Sequence, residues 1–180
     1  MRYAAFLRAV NVAGNALPMA ALKAMLHEDL GFGNVRTYLQ SGNVVFESKK
    51  RNAAALEDAL QRETLDRLGV RTEYFVRTAA DLQEILERNP FEREAVDGPS
   101  HLIAFILKDA PDQQRVAALR AWIKGPELVQ AGTRHLYITY PDGIGDSKLT
   151  NVAIERVLEG RGTARNWNTI RKIHAALVEG

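Results

Sequence analysis

The stretch 36–48, RTYLQSGNVVFES, decides how the first half of the chain folds. Thr37-Tyr38-Leu39 and Val44-Val45-Phe46 favour extended backbone, and the polar wedge Gln40-Ser41-Gly42-Asn43 separates them. Two short β-forming runs around a glycine-containing wedge read as a hairpin. A hairpin needs only turn-forming residues there. The two amides and the hydroxyl of Gln40, Asn43 and Ser41 can in addition face a ligand, and we read the wedge as a turn that also lines a pocket.

On the N-terminal side, Tyr3–Val10 has the length and content of a strand, and Asn11–Leu17 reads as a loop. Pro18 stands where the first turn of a helix tolerates it, ahead of the stripe Leu22, Met25, Leu26 and Leu30. Gly31 and Gly33 stop that helix. On the C-terminal side, Asn52 caps a helix carrying Leu56, Ala59, Leu60 and Leu68, which Gly69 closes, and Arg71–Arg77 is a further strand. The order is β-α-β-β-α-β, that of the ferredoxin-like unit, with two helices on one face of a four-stranded antiparallel sheet.

A short helix with Leu82, Ile85 and Leu86 follows. Asn89-Pro90 and Gly98-Pro99 then break the pattern as a linker would. Past it the order starts again. His101–Leu107 is a strand, and Pro111 opens a helix with Val116, Leu119, Trp122 and Ile123. Glu127–Gln130 and His135–Tyr140 bracket a turn, and Ser147 caps a helix with Leu149, Val152, Ala153 and Val157. TARNW (163–167) is short enough to be a sixth strand, and a helix through Ile170, Ile173 and Leu177 follows. The expected fold is α+β, a tandem of two ferredoxin-like (βαββαβ) subdomains with antiparallel sheets. The first spans 1–90 with its trailing helix, and the second spans 91–180 with the C-terminal helix. The halves share no obvious identity, so the duplication rests on element order alone.

Composition narrows the function classes. A chain of 180 residues with 46% hydrophobic and 26% charged content is globular. With no cysteine, disulfides, thiolate metal sites and cysteine nucleophiles are excluded. The opening residues are too broken by Arg8 for a signal peptide, and no apolar run is long enough to span a bilayer. We therefore expect a cytoplasmic protein with no membrane partner. The net charge of +2 is a weak pointer to nucleic acid. Only 147–174 concentrates it, with Lys148, Arg156, Arg161, Arg165, Arg171 and Lys172 against Glu155 and Glu159.

Familiar catalytic motifs are missing. PDGIGDSKLT (141–150) lacks the spacing of a phosphate-binding P-loop, and no His-Glu-x-x-His or Gly-x-Ser-x-Gly occurs. His27, His101, His135 and His174 are too scattered for a metal cluster. Asp142 and Asp146 read as turn residues before they read as cation ligands. Accordingly we expect no metal and no cofactor, and no catalytic residue is singled out. Three polar clusters remain: Arg8 with Asn11 and Asn15; Gln40, Ser41 and Asn43; and Arg165, Asn166, Trp167 and Asn168 near Ser147 and Lys148. Each has a structural reading as well, since Arg8 can hold a carboxylate, the Asn residues favour turns, and Trp167 leads an apolar stripe.

FLRAVNVAGNALPMAALKAMLHEDLGFGNVRTYLQSGNVVFES (6–48) resembles the opening of the bacterial domain-of-unknown-function 1697 family. SKLTNVAIERVLEG (147–160) and TARNWNTIRKI (163–173) resemble that family's C-terminal signatures. The resemblance implies a compact bacterial α+β protein and implies no established reaction. Ala9 and Ala13 stand where glycines are expected in the family's opening pattern, which would crowd a ligand that needs close backbone approach.

In a β-α-β-β-α-β sheet the first strand runs antiparallel beside the third, so Arg8, Asn11, Ser41 and Asn43 should gather at one end. A guanidinium, amides and a hydroxyl suit an anion or polar head group. The expected function is a binding module for an anionic small molecule, a nucleotide or phosphorylated metabolite, or for a nucleic-acid segment. Its ligand set would be Arg8, Asn11, Asn15, Gln40, Ser41, Asn43, Ser147, Lys148, Arg165 and Asn166. Nucleotide-like ligands rank above RNA, because Tyr38 and Phe46 are poor substitutes for an aromatic RNA-binding strand. The alternative is an enzyme acting on a small polar substrate in a cleft between the subdomains, with Lys148 and Asp146 as acid–base groups.

Overall fold

A computed structural model describes residues 1–8, 16–38 and 42–179. It divides into two compact units, one of Met1–Leu82 with Ile173–Gly180 and the other of Gln83–Lys172. We refer to these as unit 1 and unit 2. The fold is α+β, with two four-stranded antiparallel sheets.

In unit 1 the order is β1 (Arg2–Arg8), α1 (Met19–Glu28), β2 (Gly33–Tyr38), β3 (Asn43–Glu47), α2 (Ala53–Leu68) and β4 (Glu73–Thr78). The sheet runs β2-β3-β1-β4. Alternation along the strands sends Tyr3, Ala5, Leu7, Val44, Phe46, Tyr74 and Val76 to one face. There they meet Leu22, Met25 and Leu26 of α1 and Leu56 and Leu60 of α2 in one buried core. The caps are those expected. The Asn52 side chain accepts from Ala55 N, and Gly69 ends α2 at φ 66°, a conformation that favours glycine. Pro18 lies one position before the first helical residue.

In unit 2 the order is α4 (Glu92–Asp97), β5 (Leu102–Leu107), α5 (Gln113–Trp122), β6 (Leu128–Ala131), β7 (His135–Thr139), α6 (Asn151–Leu158) and β8 (Gly162–Asn166). Its sheet runs β6-β7-β5-β8. Ile103, Phe105, Leu107, Leu136 and Ile138 pack on Val116 and Leu119 of α5 and Ile154 and Leu158 of α6. Two further helices, α3 (Ala79–Glu87) and α7 (Trp167–Glu179), each continue from the last strand of a sheet.

Two local expectations are corrected. The segment between Asn89-Pro90 and Gly98-Pro99, read as a linker, holds α4, whose Ala95 is buried. Ser147 does not cap α6. Thr150 does, accepting from Ala153 N at 3.2 Å, and Leu149 precedes the helix.

The β-strand register makes the two units comparable residue by residue. Ala4 of β1 lies opposite Arg77 of β4, and Ala104 of β5 lies opposite Arg165 of β8. Both arginines are buried, and each donates from Nη1 to the preceding residue's carbonyl at 2.8 Å. Phe6 opposes Asn43, and Ile106 opposes His135, so the two buried polar residues of the third strands are equivalent.

Candidate functional site

The end of the unit 1 sheet where the sequence gathers Arg8 and Asn43 is built mainly of internal contacts. Leu7 N donates to Gly42 O at 2.8 Å, and Thr72 Oγ1 donates to Arg8 O at 2.7 Å. The Arg8 guanidinium lies 3.7 Å from a Glu73 carboxylate oxygen. Asn43 is fully buried, and its Nδ2 donates across the hairpin to Tyr38 O at 3.1 Å. Asn11, Asn15, Gln40 and Ser41 lie outside the described residues, as do Ala9 and Ala13.

The C-terminal cluster separates into parts. Arg165 is buried on β8 and donates to Thr163 Oγ1 and Ala164 O. Burial pushes its guanidinium down to about 10, which leaves it charged at neutral pH. The half-buried Asn166 accepts from Thr169 N and Thr169 Oγ1 at 2.9 Å, capping α7. Trp167 is buried, as its stripe implies, with its ring 6.4 Å from that of Tyr137. Part of the local positive charge is engaged. Arg161 pairs with Glu155 at 3.9 Å, and Glu159 is taken by Arg115 at 2.6 Å. Arg156 sits 6.0 Å from the centre of the Trp122 ring.

Ser147 and Lys148 belong to a different feature, a pocket of about 740 Å³ in unit 2. One wall is the turn after α5, from Trp122 to Glu127. The other is the segment Asp142–Leu149 that follows β7. Its apolar floor is Trp122, Ile123 and Leu149, which pack on or belong to the core under the sheet. Its rim carries Lys124 and Lys148 of one sign and Glu127, Asp142 and Asp146 of the other.

One hydrogen bond ties the walls together, and two more hold the second wall. Ser147 Oγ donates to Glu127 Oε1 at 2.5 Å and accepts from Leu149 N at 3.0 Å. Tyr140 OH donates to Leu149 O at 2.8 Å. Burial, and then the charge of Glu127, raise the Tyr140 pKa well above the ordinary value, so it stays a neutral donor. The segment turns at Gly143, where φ is 87°. Among the described residues, no group of three or more His, Cys, Asp or Glu is placed to hold a metal ion, and no helix is long and apolar enough to cross a membrane.

The sequence reading reached Ser147, Lys148 and the turn character of 141–150, but it missed Trp122, Lys124 and Glu127. The available signal was the Gly125-Pro126 break between a helix and an edge strand. It marks a connection, and nothing local says that the connection faces the loop twenty residues later.

A family model described as "Protein of unknown function (DUF1697)" matches residues 1–137, and the chain belongs to that family. The solved structure titled "The structure of conserved bacterial protein SP0830 from Streptococcus pneumoniae" is similar, with a TM-score of 0.75 at 21% identity. The match covers 98% of each chain, and at that identity it shows the fold alone. No curated protein matches the chain.

Proposed function

We propose that this member of the DUF1697 family is a binding module for a small amphoteric molecule, held in the unit 2 pocket. We also read each unit as a ferredoxin-like subdomain, on the strength of its element order and strand order. The observation that carries the functional reading is the lining itself. An apolar floor around Trp122 is joined to a rim of two lysines and three carboxylates, in a volume within the usual ligand-pocket range of about 300–1,000 Å³.

Such a lining suits a ligand with a flat or apolar body and polar groups of both signs. The nucleotide class expected from the sequence fits in part: a base can lie against Trp122, and Lys124 or Lys148 can meet an anionic group. Glu127, Asp142 and Asp146 favour exocyclic amines or an ammonium and disfavour a ligand that is anionic throughout.

Thermal-shift screening of nucleosides, nucleotides, amino acids and short oligonucleotides tests this. The best ligand should lose roughly tenfold in affinity in Lys148→Glu, a substitution at an exposed side chain. It should bind Arg8→Met as it binds the unchanged protein. Loss of binding in Arg8→Met with full retention in Lys148→Glu would place the site at the end of the unit 1 sheet and overturn the proposal.

A further inference from the structure

The position occupied by the unit 2 pocket exists twice in this fold, because the register makes the units equivalent. In unit 1 it is the space between the turn after α1 and the segment after β3, and there the structure again has a pocket, of about 490 Å³. Leu30–Gly33 form one wall and Glu47–Lys50 the other. The floor is packed: Phe32 is buried and stacks on Phe46 with centroids 4.6 Å apart and planes at 11°. The second wall is pinned as well. Ser48 N donates to Met1 O, Lys50 N to Ser48 Oγ and Tyr3 OH to Lys50 O, all at 3.0–3.1 Å.

The charge on this pocket is the reverse of that in unit 2. Lys49 and Lys50 are exposed at the rim and make no ion pair among the described residues. Among the described residues the only carboxylate in the lining is Glu47, and it is already engaged. A bulge in β2 next to Gly33 leaves Asn34 in a left-handed conformation, φ 49°. The Asn34 side chain hydrogen-bonds Glu47, and Arg2 Nε donates to Glu47 Oε1 at 3.1 Å. These two bonds, Asn34's first, hold the Glu47 carboxyl below its ordinary value. An anion at the rim therefore meets two ammonium groups that have no ion pair among the described residues, and a carboxylate whose charge Arg2 offsets.

We infer that this unit 1 pocket is a second site, for a compact anion of the phosphate or phosphomonoester class. The inference stands apart from the unit 2 reading, since no residue is shared. Inorganic phosphate titrated at low salt, followed by amide chemical shifts, tests it. The expected result is saturable perturbation of residues 31–33 and 48–50, weakened about tenfold or more in Lys49→Glu/Lys50→Glu. Lys148→Glu should leave it unchanged, which separates failure of this site from failure of the other. A sugar phosphate titrated in parallel binds more tightly if its carrier rests on the Phe32 wall, and equally if free phosphate is the ligand. Absence of saturable phosphate binding, or equal binding by the double variant, would overturn the inference. Both lysines are exposed, so the double variant should fold, and its circular dichroism should match that of the unchanged protein.

Discussion

Units 1 and 2 share a strand order and a register, yet they fill the same positions with different side chains. In unit 1 the first strand carries Ala5 and the fourth carries Tyr74; in unit 2 the equivalent positions hold Phe105 and Gly162. The large ring has changed strands. A Cβ on Gly162 would come within 2.3 Å of the Phe105 ring, so the missing side chain is the space the ring uses. Tyr74 instead reaches back to α2, where its hydroxyl bonds Thr64 Oγ1 at 2.7 Å. Packing conserves volume summed over neighbours and not residue identity at one position. The connections differ more. Residues 48–52 join β3 to α2, whereas 140–150 join β7 to α6, and the longer segment walls the larger pocket. The shared frame sets where a pocket can form, and the loops set its size and charge.

The largest effect that can break this comparison lies in the exchanged pair. Phe105→Ala should cost about 3–5 kcal/mol by chemical denaturation. Gly162→Ala should cost about 1–3 kcal/mol by overpacking. In a Phe105→Leu background the added methyl should cost clearly less, because the two sites share one volume. Additive losses would show that Gly162 serves some other purpose.

A pH titration sharpens the comparison next. Burial raises the hydroxyl pKa of Tyr74 and Tyr140, and that of Tyr137 to about 12. The unfolded chain ionises these groups first, near pH 10, so the native state binds more protons above that point. Their contribution is fully present below about pH 10 and is lost as pH rises towards 12. Arg165, lowered by burial, works in the opposite sense over the same range, but it is one group against three. The denaturation midpoint should fall above pH 10, and Tyr140→Phe should flatten that fall. An unchanged slope in the variant would show that Tyr140 ionises alike in the folded and unfolded chain.

The smallest effects concern the caps, which also show what a sequence reveals. Asn52 and Thr150 start the helix that precedes the last strand of each sheet, and replacing either with Ala should cost about 1 kcal/mol. A loss confined to one unit would break the equivalence there. Asn52 was legible because it directly precedes its helical stripe. Thr150 was not: Ser147 is an equally good cap residue, and Leu149 extends the apolar spacing backwards although it belongs to the loop.

The element order was legible for the same reason that Asn52 was, because periodicity and punctuation are local signals. The pocket was only half legible. Lys148 and Ser147 stood out within one segment, but Trp122 and Glu127 join them only after the sheet has formed. Arg165 misled in the opposite direction, since a cation near the end of a chain gives no local sign that the register will bury it opposite Ala104.

Amide chemical-shift mapping of the best ligand from the screen tests the central claim most directly, because it reads both units in one experiment. Perturbations are expected at Trp122–Glu127 and Asp142–Leu149 in unit 2, with Arg8, Asn43 and Glu73 unmoved. Perturbations centred on Arg8, Asn43 and Glu73, with none along residues 142–149, would contradict that claim.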